Sequence, residues 1–222
     1  MNVKFFYCLT LVLLLMVFML QACGTAPQKQ AAFQLDPALL SKAPAQKNAV
    51  QTNGCDPGPG LEEVEALYAQ KRYKKALLKI ADLMERSCSR AMDFQVYKMA
   101  GRVYDARQEP ANAAQFYLAA AAFGDPAEQQ EVRNLAIQSV SQMTVAQILQ
   151  FSASTEEMVD TDGELLFGAG MAKFEQGNDT EALALMKHYC SRFAQKDNLP
   201  QARSVIKTID ARYAFNRYSI GV

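Results

Sequence analysis

Cysteine and histidine are the side chains best suited to nucleophilic, redox or metal chemistry, and here they are few and dispersed. The chain holds five cysteines and one histidine in 222 residues. A Ser-His-Asp or Cys-His arrangement would have to use His188, because the nucleophile needs a base within hydrogen-bond reach. His188 stands in Lys187-His188-Tyr189-Cys190 near a predicted helix end, where an imidazole suits the helix dipole without any catalytic role. Zinc ligation would require closely spaced Cys and His pairs, and the sequence has no C-x-x-C. It also lacks an H-E-x-x-H motif and a phosphate-cradling glycine loop. Glu156-Glu157 and Asp160-x-Asp162 form an acidic patch, either solvated helix-start charges or a Ca²⁺ site, the former being simpler. The expectation is a protein that is not an enzyme, with no catalytic residue, cofactor or metal. Its 23 basic and 23 acidic residues cancel, so the field that gathers nucleic acid is absent and no nucleic-acid partner is expected.

Cys23 is different, because of what precedes it. Lys4 is a short basic start, Phe5 to Leu20 is an almost unbroken apolar run, and a small residue, Ala22, comes directly before the cysteine. That is the layout of a secretory signal over residues 1–22. Sixteen apolar residues fall short of the roughly 20 that a spanning helix needs, although an uncleaved anchor is the competing reading.

Leu20-Gln21-Ala22-Cys23-Gly24 resembles the lipobox of bacterial lipoproteins, with Gln at a position that more often holds a small residue. The resemblance implies diacylation of Cys23, cleavage before it and a further (palmitate-like) acyl chain. Two or more chains hold a protein stably where one does not. Gly24 in place of Asp implies the outer membrane, facing the periplasm. In such an oxidising compartment disulfides persist. Cys8 leaves with the signal and Cys23 takes the lipid, so Cys55, Cys88 and Cys190 can form at most one internal bridge.

Residues 23–60 are rich in Ala, Gln, Pro, Lys and Asn, and read as a flexible linker closed by the Pro/Gly cluster at 57–60. From Leu61 to about Asp210 the apolar residues recur at helical spacing, as in Val64, Leu67, Tyr68 and in Ala76, Leu77, Ile80, Leu83, Met84. Breaks are predicted at Asp125-Pro126, Asp162-Gly163, Gly177-Asn178 and Leu199-Pro200. Cys55 lies just before the first predicted helix and Cys88 just after the second. These are neighbouring ends of an antiparallel hairpin, so the two are either bridged or remain thiols. A bridge would contribute on the order of 3–4 kcal/mol.

The helical spans also repeat. Tyr97-x-x-Ala100-Gly101-x-x-Tyr104 with Ala113-x-x-x-Tyr117-x-x-Ala120 is echoed by Leu166-x-x-Ala169-Gly170-x-x-x-Phe174 with Ala182-x-x-x-Met186. A weaker copy is Val64-x-x-Leu67-Tyr68 with Tyr73 and Ala76-x-x-x-Ile80, and a degenerate one fits near 128–151. This pattern resembles the tetratricopeptide repeat, a 34-residue helix–turn–helix unit. The expected fold is an all-α solenoid of helical hairpins over 61–210, with an unrelated helical bundle as the alternative. In that family the first helix of each hairpin lines a groove for a protein segment. By motif position the resemblance assigns Tyr68, Lys98, Arg102, Asp105, Phe167, Met171 and Phe174 to it.

Residues 211–222 read as a break in the helical pattern, with Tyr218-Ser219-Ile220-Gly221-Val222 opening a β-strand. Lipobox, linker, repeats and an Ile-Gly-Val strand together resemble the N-terminal part of lipoprotein activators of penicillin-binding proteins of the LpoA type, and of ABC-type substrate-binding lipoproteins. The resemblance implies a membrane-anchored scaffold that contacts a penicillin-binding protein and regulates peptidoglycan synthesis. Its alternatives are the helical part of a small-molecule receptor whose ligand domain is missing, and an outer-membrane-protein assembly lipoprotein.

Overall fold

The computed structural model describes residues 58–86, 89–155 and 163–219, with side chains to residue 215. Cys23, Cys55, Cys88 and the acidic patch at 156–162 lie outside the described residues. Within them the chain is entirely helical, with nine helices and no strand. In order these are α1 (Gly58–Ala69), α2 (Tyr73–Arg86), α3 (Arg90–Ala106), α4 (Pro110–Ala121), α5 (Pro126–Ser141), α6 (Val145–Thr155), α7 (Glu164–Glu175), α8 (Asp179–Arg192) and α9 (Leu199–Ser219).

Helix starts follow local chemistry. Ser89 accepts from the Met92 amide at 3.2 Å to open α3. Asp125 and Glu128 form a reciprocal capping box around Pro126 to open α5. Two boundaries differ from the expectation. Helix α1 begins at Gly58, inside the segment assigned to the linker, because Pro59 falls in the first turn, where a missing amide costs nothing. At the other end α9 runs unbroken through Ser219, so Tyr218-Ser219 is helical and does not open a strand. The helical stripe of Ala202, Val205 and Ile209, all buried, already commits this segment to a helix.

Each helix packs on the next from α1 to α5; α7 then packs on α5, α6 rests on α7 and α8, and α9 covers α8. Three of the inter-helix turns are copies of one another. Lys71 (φ 56°), Gln108 (φ 60°) and Gly177 (φ 77°) occupy the same place after α1, α3 and α7. In each, the next amide reaches back five residues: Arg72 to the Leu67 carbonyl at 2.9 Å, Glu109 to Tyr104 at 3.0 Å, Asn178 to Lys173 at 2.9 Å. This closes the orphan carbonyls of the preceding helix. The turn after α5 lacks a left-handed residue, which sets the α5–α6 segment apart.

These three turns bring corresponding positions opposite each other across their hairpins. Gly101 faces Tyr117, and a Cβ at 101 would lie 2.5 Å from the tyrosine ring. Gly170 faces Met186, with a Cβ 2.9 Å from its methyl group. In the first hairpin Val64 and Ile80 hold the corresponding positions, both buried. Ala76, Ala113 and Ala182, at one further shared position, are all fully buried.

The turn copies give a test with opposite signs. No atom lies within 4 Å of a Cβ at Gly177, so Gly177→Ala acts through the backbone alone and should cost about 1 kcal/mol. Gln108→Gly, which relieves the same strain but loosens the unfolded chain, should be neutral or stabilising by up to about 1 kcal/mol. Urea denaturation of the two variants checks both.

Candidate functional site

The candidate groove is best judged by where its seven residues lie. Four of them meet around α3. The Arg102 guanidinium is exposed and sits 5.1 Å from the centre of the Tyr68 ring on α1, with its Nη1 3.6 Å from Met99 Sδ. Tyr68 in turn lies 5.9 Å from Tyr73. Lys98 is half-buried and clamps both Glu131 oxygens on α5 at 2.6 and 2.7 Å. Its ammonium also stands 5.5 Å from the Phe94 ring.

Asp105 does something sequence reasoning missed. Its two carboxylate oxygens accept from Tyr117 at 2.9 Å and from Ser139 at 2.7 Å, tying α3 to α4 and to α5. This carboxylate is a structural acceptor inside the stack and is not free to bind a partner. Burial first, and then the Asp105 bond, push the Tyr117 phenol far above its ordinary range.

The other three groove residues separate. Phe167 is 9 % exposed and packs 5.4 Å from Tyr189 inside the α7–α8 hairpin, so its assignment to an open groove is corrected. The physical reason is its position three residues before Gly170, which faces Met186 and so puts both on the hairpin side of α7. Met171 and Phe174 are half-buried and face α9. Gln201 Nε2 lies 3.9 Å from Met171 Sδ, and Arg212 stands 4.8 Å from the Phe174 ring.

The contacts between successive first helices have a common sequence interval. Lys98 with Glu131, Asp105 with Ser139 and Arg133 with Glu164 are separated by 33, 34 and 31 residues. The ladder leaves one further strip open. On α5, Glu131 and Ser139 turn toward α3, while Arg133 and Ile137 turn toward α7. Between them, at four-residue spacing, Gln130, Asn134 and Gln138 are exposed, and Gln130 donates to Asn134 at 3.1 Å. Carboxamides that both donate and accept are suited to a peptide backbone. The i, i+4, i+8 spacing of amides was the signal that could have found them.

No protein-family model matches the chain, and no curated protein or solved structure matches it significantly.

Elsewhere, His188 is half-buried on α8, and Ser191 donates to its carbonyl at 2.7 Å. Cys190 is a free thiol whose pKa burial raises, against a lowering influence from Arg203. The described residues contain no cluster of three metal-binding side chains, and none of their helices is long and apolar enough to cross a membrane. A shallow open depression between α8 and α9 is lined by Asp179, Thr208, Ala211, Arg212 and Phe215. Its arginine is held by Asp179 at 2.9 Å.

Two outcomes check the role of Asp105. Asp105→Ala leaves the Tyr117 hydroxyl without this acceptor, while Ser139 keeps the Leu135 carbonyl at 3.0 Å, so a loss of about 1–3 kcal/mol is expected. For pH, the folded phenol titrates above the unfolded value of 10.0, so the contribution of Tyr117 is complete below that pH. Above it the unfolded phenol ionises first and stability falls. Tyr117→Phe should flatten part of that decline; denaturation midpoints on both sides of pH 10.0 measure it.

Proposed function

We propose that the chain is a protein-binding scaffold of tetratricopeptide-like hairpins, held at the cell envelope by lipid on Cys23. The observation that carries this reading is the threefold copy of one turn at Lys71, Gln108 and Gly177, with the matched pairs Val64–Ile80, Gly101–Tyr117 and Gly170–Met186 behind it. A stack of near-identical hairpins buries its core between neighbours and leaves one extended face of first helices for a partner. On that face Tyr68 and Arg102 supply an aromatic–guanidinium pair, and Gln130, Asn134 and Gln138 supply amides. Tyr and Arg are residue types that carry binding energy at interfaces.

The partner class follows from the envelope resemblance: a penicillin-binding protein whose peptidoglycan synthesis the scaffold regulates. The activator and receptor resemblances both drew on a strand at Tyr218–Val222, and helicity through Ser219 removes part of that support from each. An outer-membrane-protein assembly role shares the same binding face and differs only in the partner.

The test is capture of the purified periplasmic region of a penicillin-binding protein by the lipidated chain. Arg102→Glu and Tyr68→Ala should each weaken capture at least about tenfold while leaving the melting temperature nearly unchanged, because their mutual contact contributes only about 0.5–1 kcal/mol. Equal capture by the variants would contradict the assigned face, and absence of capture by the native chain would contradict the partner.

A further inference from the structure

We propose that the turn joining α1 and α2 is a second, non-covalent membrane contact that rests on anionic lipid headgroups. This rests on the reading of the chain as a membrane-tethered protein.

The first hairpin is polarised. Glu62, Glu63 and Glu65 lie in the middle of α1, and Asp82 and Glu85 lie late in α2, so the carboxylates stand away from the closed end of the hairpin. The closed end carries Lys71, Arg72, Lys74 and Lys75 within five residues, all exposed. Farther along, Lys79 is occupied by Glu63 at 2.7 Å. Lys71, Lys74 and Lys75 make no ion pair among the described residues.

Apolar and aromatic groups stand among these cations. Among the described residues Leu78 is one of two large apolar side chains that are mostly exposed, at 72 %, and it lies on the same face of α2 as Lys74 and Lys75. Tyr68 and Tyr73 flank the turn, 5.9 Å apart. Lysines, tyrosines and a protruding leucine are the composition that favours a membrane–water boundary.

The repeat provides its own control, because the other hairpins build the same turn without this chemistry. The places of Lys71, Arg72, Lys74, Lys75 and Leu78 are taken by Gln108, Glu109, Ala111, Asn112 and Gln115 after α3. After α7 they are taken by Gly177, Asn178, Thr180, Glu181 and Ala184. Neither the turn nor the packing therefore requires a cation or an exposed leucine. An end hairpin needs a polar outer surface, but it does not need charges of one sign around a leucine. Each cation near an anionic leaflet contributes about 1 kcal/mol, so four give the turn an affinity that a short-range tether would amplify.

The test is lysine footprinting of the full chain, purified as the cell processes it. It is reconstituted into vesicles of phosphatidylcholine alone or of phosphatidylcholine with phosphatidylglycerol. Acylation by an amine-reactive ester at Lys71, Lys74 and Lys75 should fall several-fold in the anionic vesicles and recover in high salt, while the exposed Lys207 on α9 is labelled equally in both. Lys74→Gln should weaken the remaining protection about fivefold, and Leu78→Gln, the residue of the second hairpin, should weaken it without changing the charge. Equal labelling in the two vesicle types would overturn the proposal and leave the patch to a carboxylate-bearing protein. The mass of the peptide containing Cys23 reports the tether separately. A chain without lipid that is still protected by phosphatidylglycerol keeps the contact and loses the anchor; a lipidated chain without protection does the reverse.

Discussion

Two antiparallel helices can approach closely only if bulk on one is met by its absence on the other, and the folded part of this chain depends on that constraint. Where Tyr117 presents a whole ring to α3, α3 answers with Gly101. Where Met186 presents a flexible thioether, α7 answers with Gly170, and in the first hairpin the corresponding positions hold two medium-sized buried residues, Val64 and Ile80. Interiors packed to crystal-like density feel a change of even one methylene, so such pairs must change together. The left-handed turn residue fixes the register that brings each pair face to face. Once the hairpins have one shape, successive first helices fall at one interval, and the bonds between them recur at 31 to 34 residues.

That spacing also decides which polar residues are available for function. Lys98 and Asp105 are consumed in joining neighbouring hairpins. Arg102, one turn from each, faces outward over Tyr68. The division between structural and available charge is thus set by which side chains meet a partner on the neighbouring helix, not by residue type. The first hairpin also differs from the others at its closed end, where Lys71, Arg72, Lys74 and Lys75 are all exposed.

Much of the helical body was legible in the sequence. The breaks at Asp125-Pro126 and Gly177-Asn178, the small residues at 101, 113, 170 and 182, and the irregular segment near 128–151 all carry local or periodic signals that survive folding. Three features were not legible, for different physical reasons. Pro59 reads as punctuation, yet proline in a first turn is compatible with a helix, so α1 starts earlier than composition suggests. Tyr218-Ser219 ends in a run that suits a strand locally, but it continues a helix already committed by Ala202, Val205 and Ile209. Phe167 and Asp105 look like groove residues by motif position. The first shares the hairpin face of Gly170 and is buried against Tyr189, and a tyrosine and a serine distant in sequence capture the second.

The most direct test of the central claim, that these hairpins are one unit repeated, is to transplant the pair of one into another. The measurement is a double-mutant cycle with Gly101→Val and Tyr117→Ile, read by urea denaturation. Loss of the Tyr117–Asp105 bond is common to both variants that lack the tyrosine and cancels in the cycle. If positions 101 and 117 correspond to 64 and 80, valine at 101 costs several kcal/mol against the tyrosine ring and far less against isoleucine, a coupling of at least about 1 kcal/mol. Additive losses, within about 0.5 kcal/mol, would show that the two positions do not oppose each other and would contradict the account.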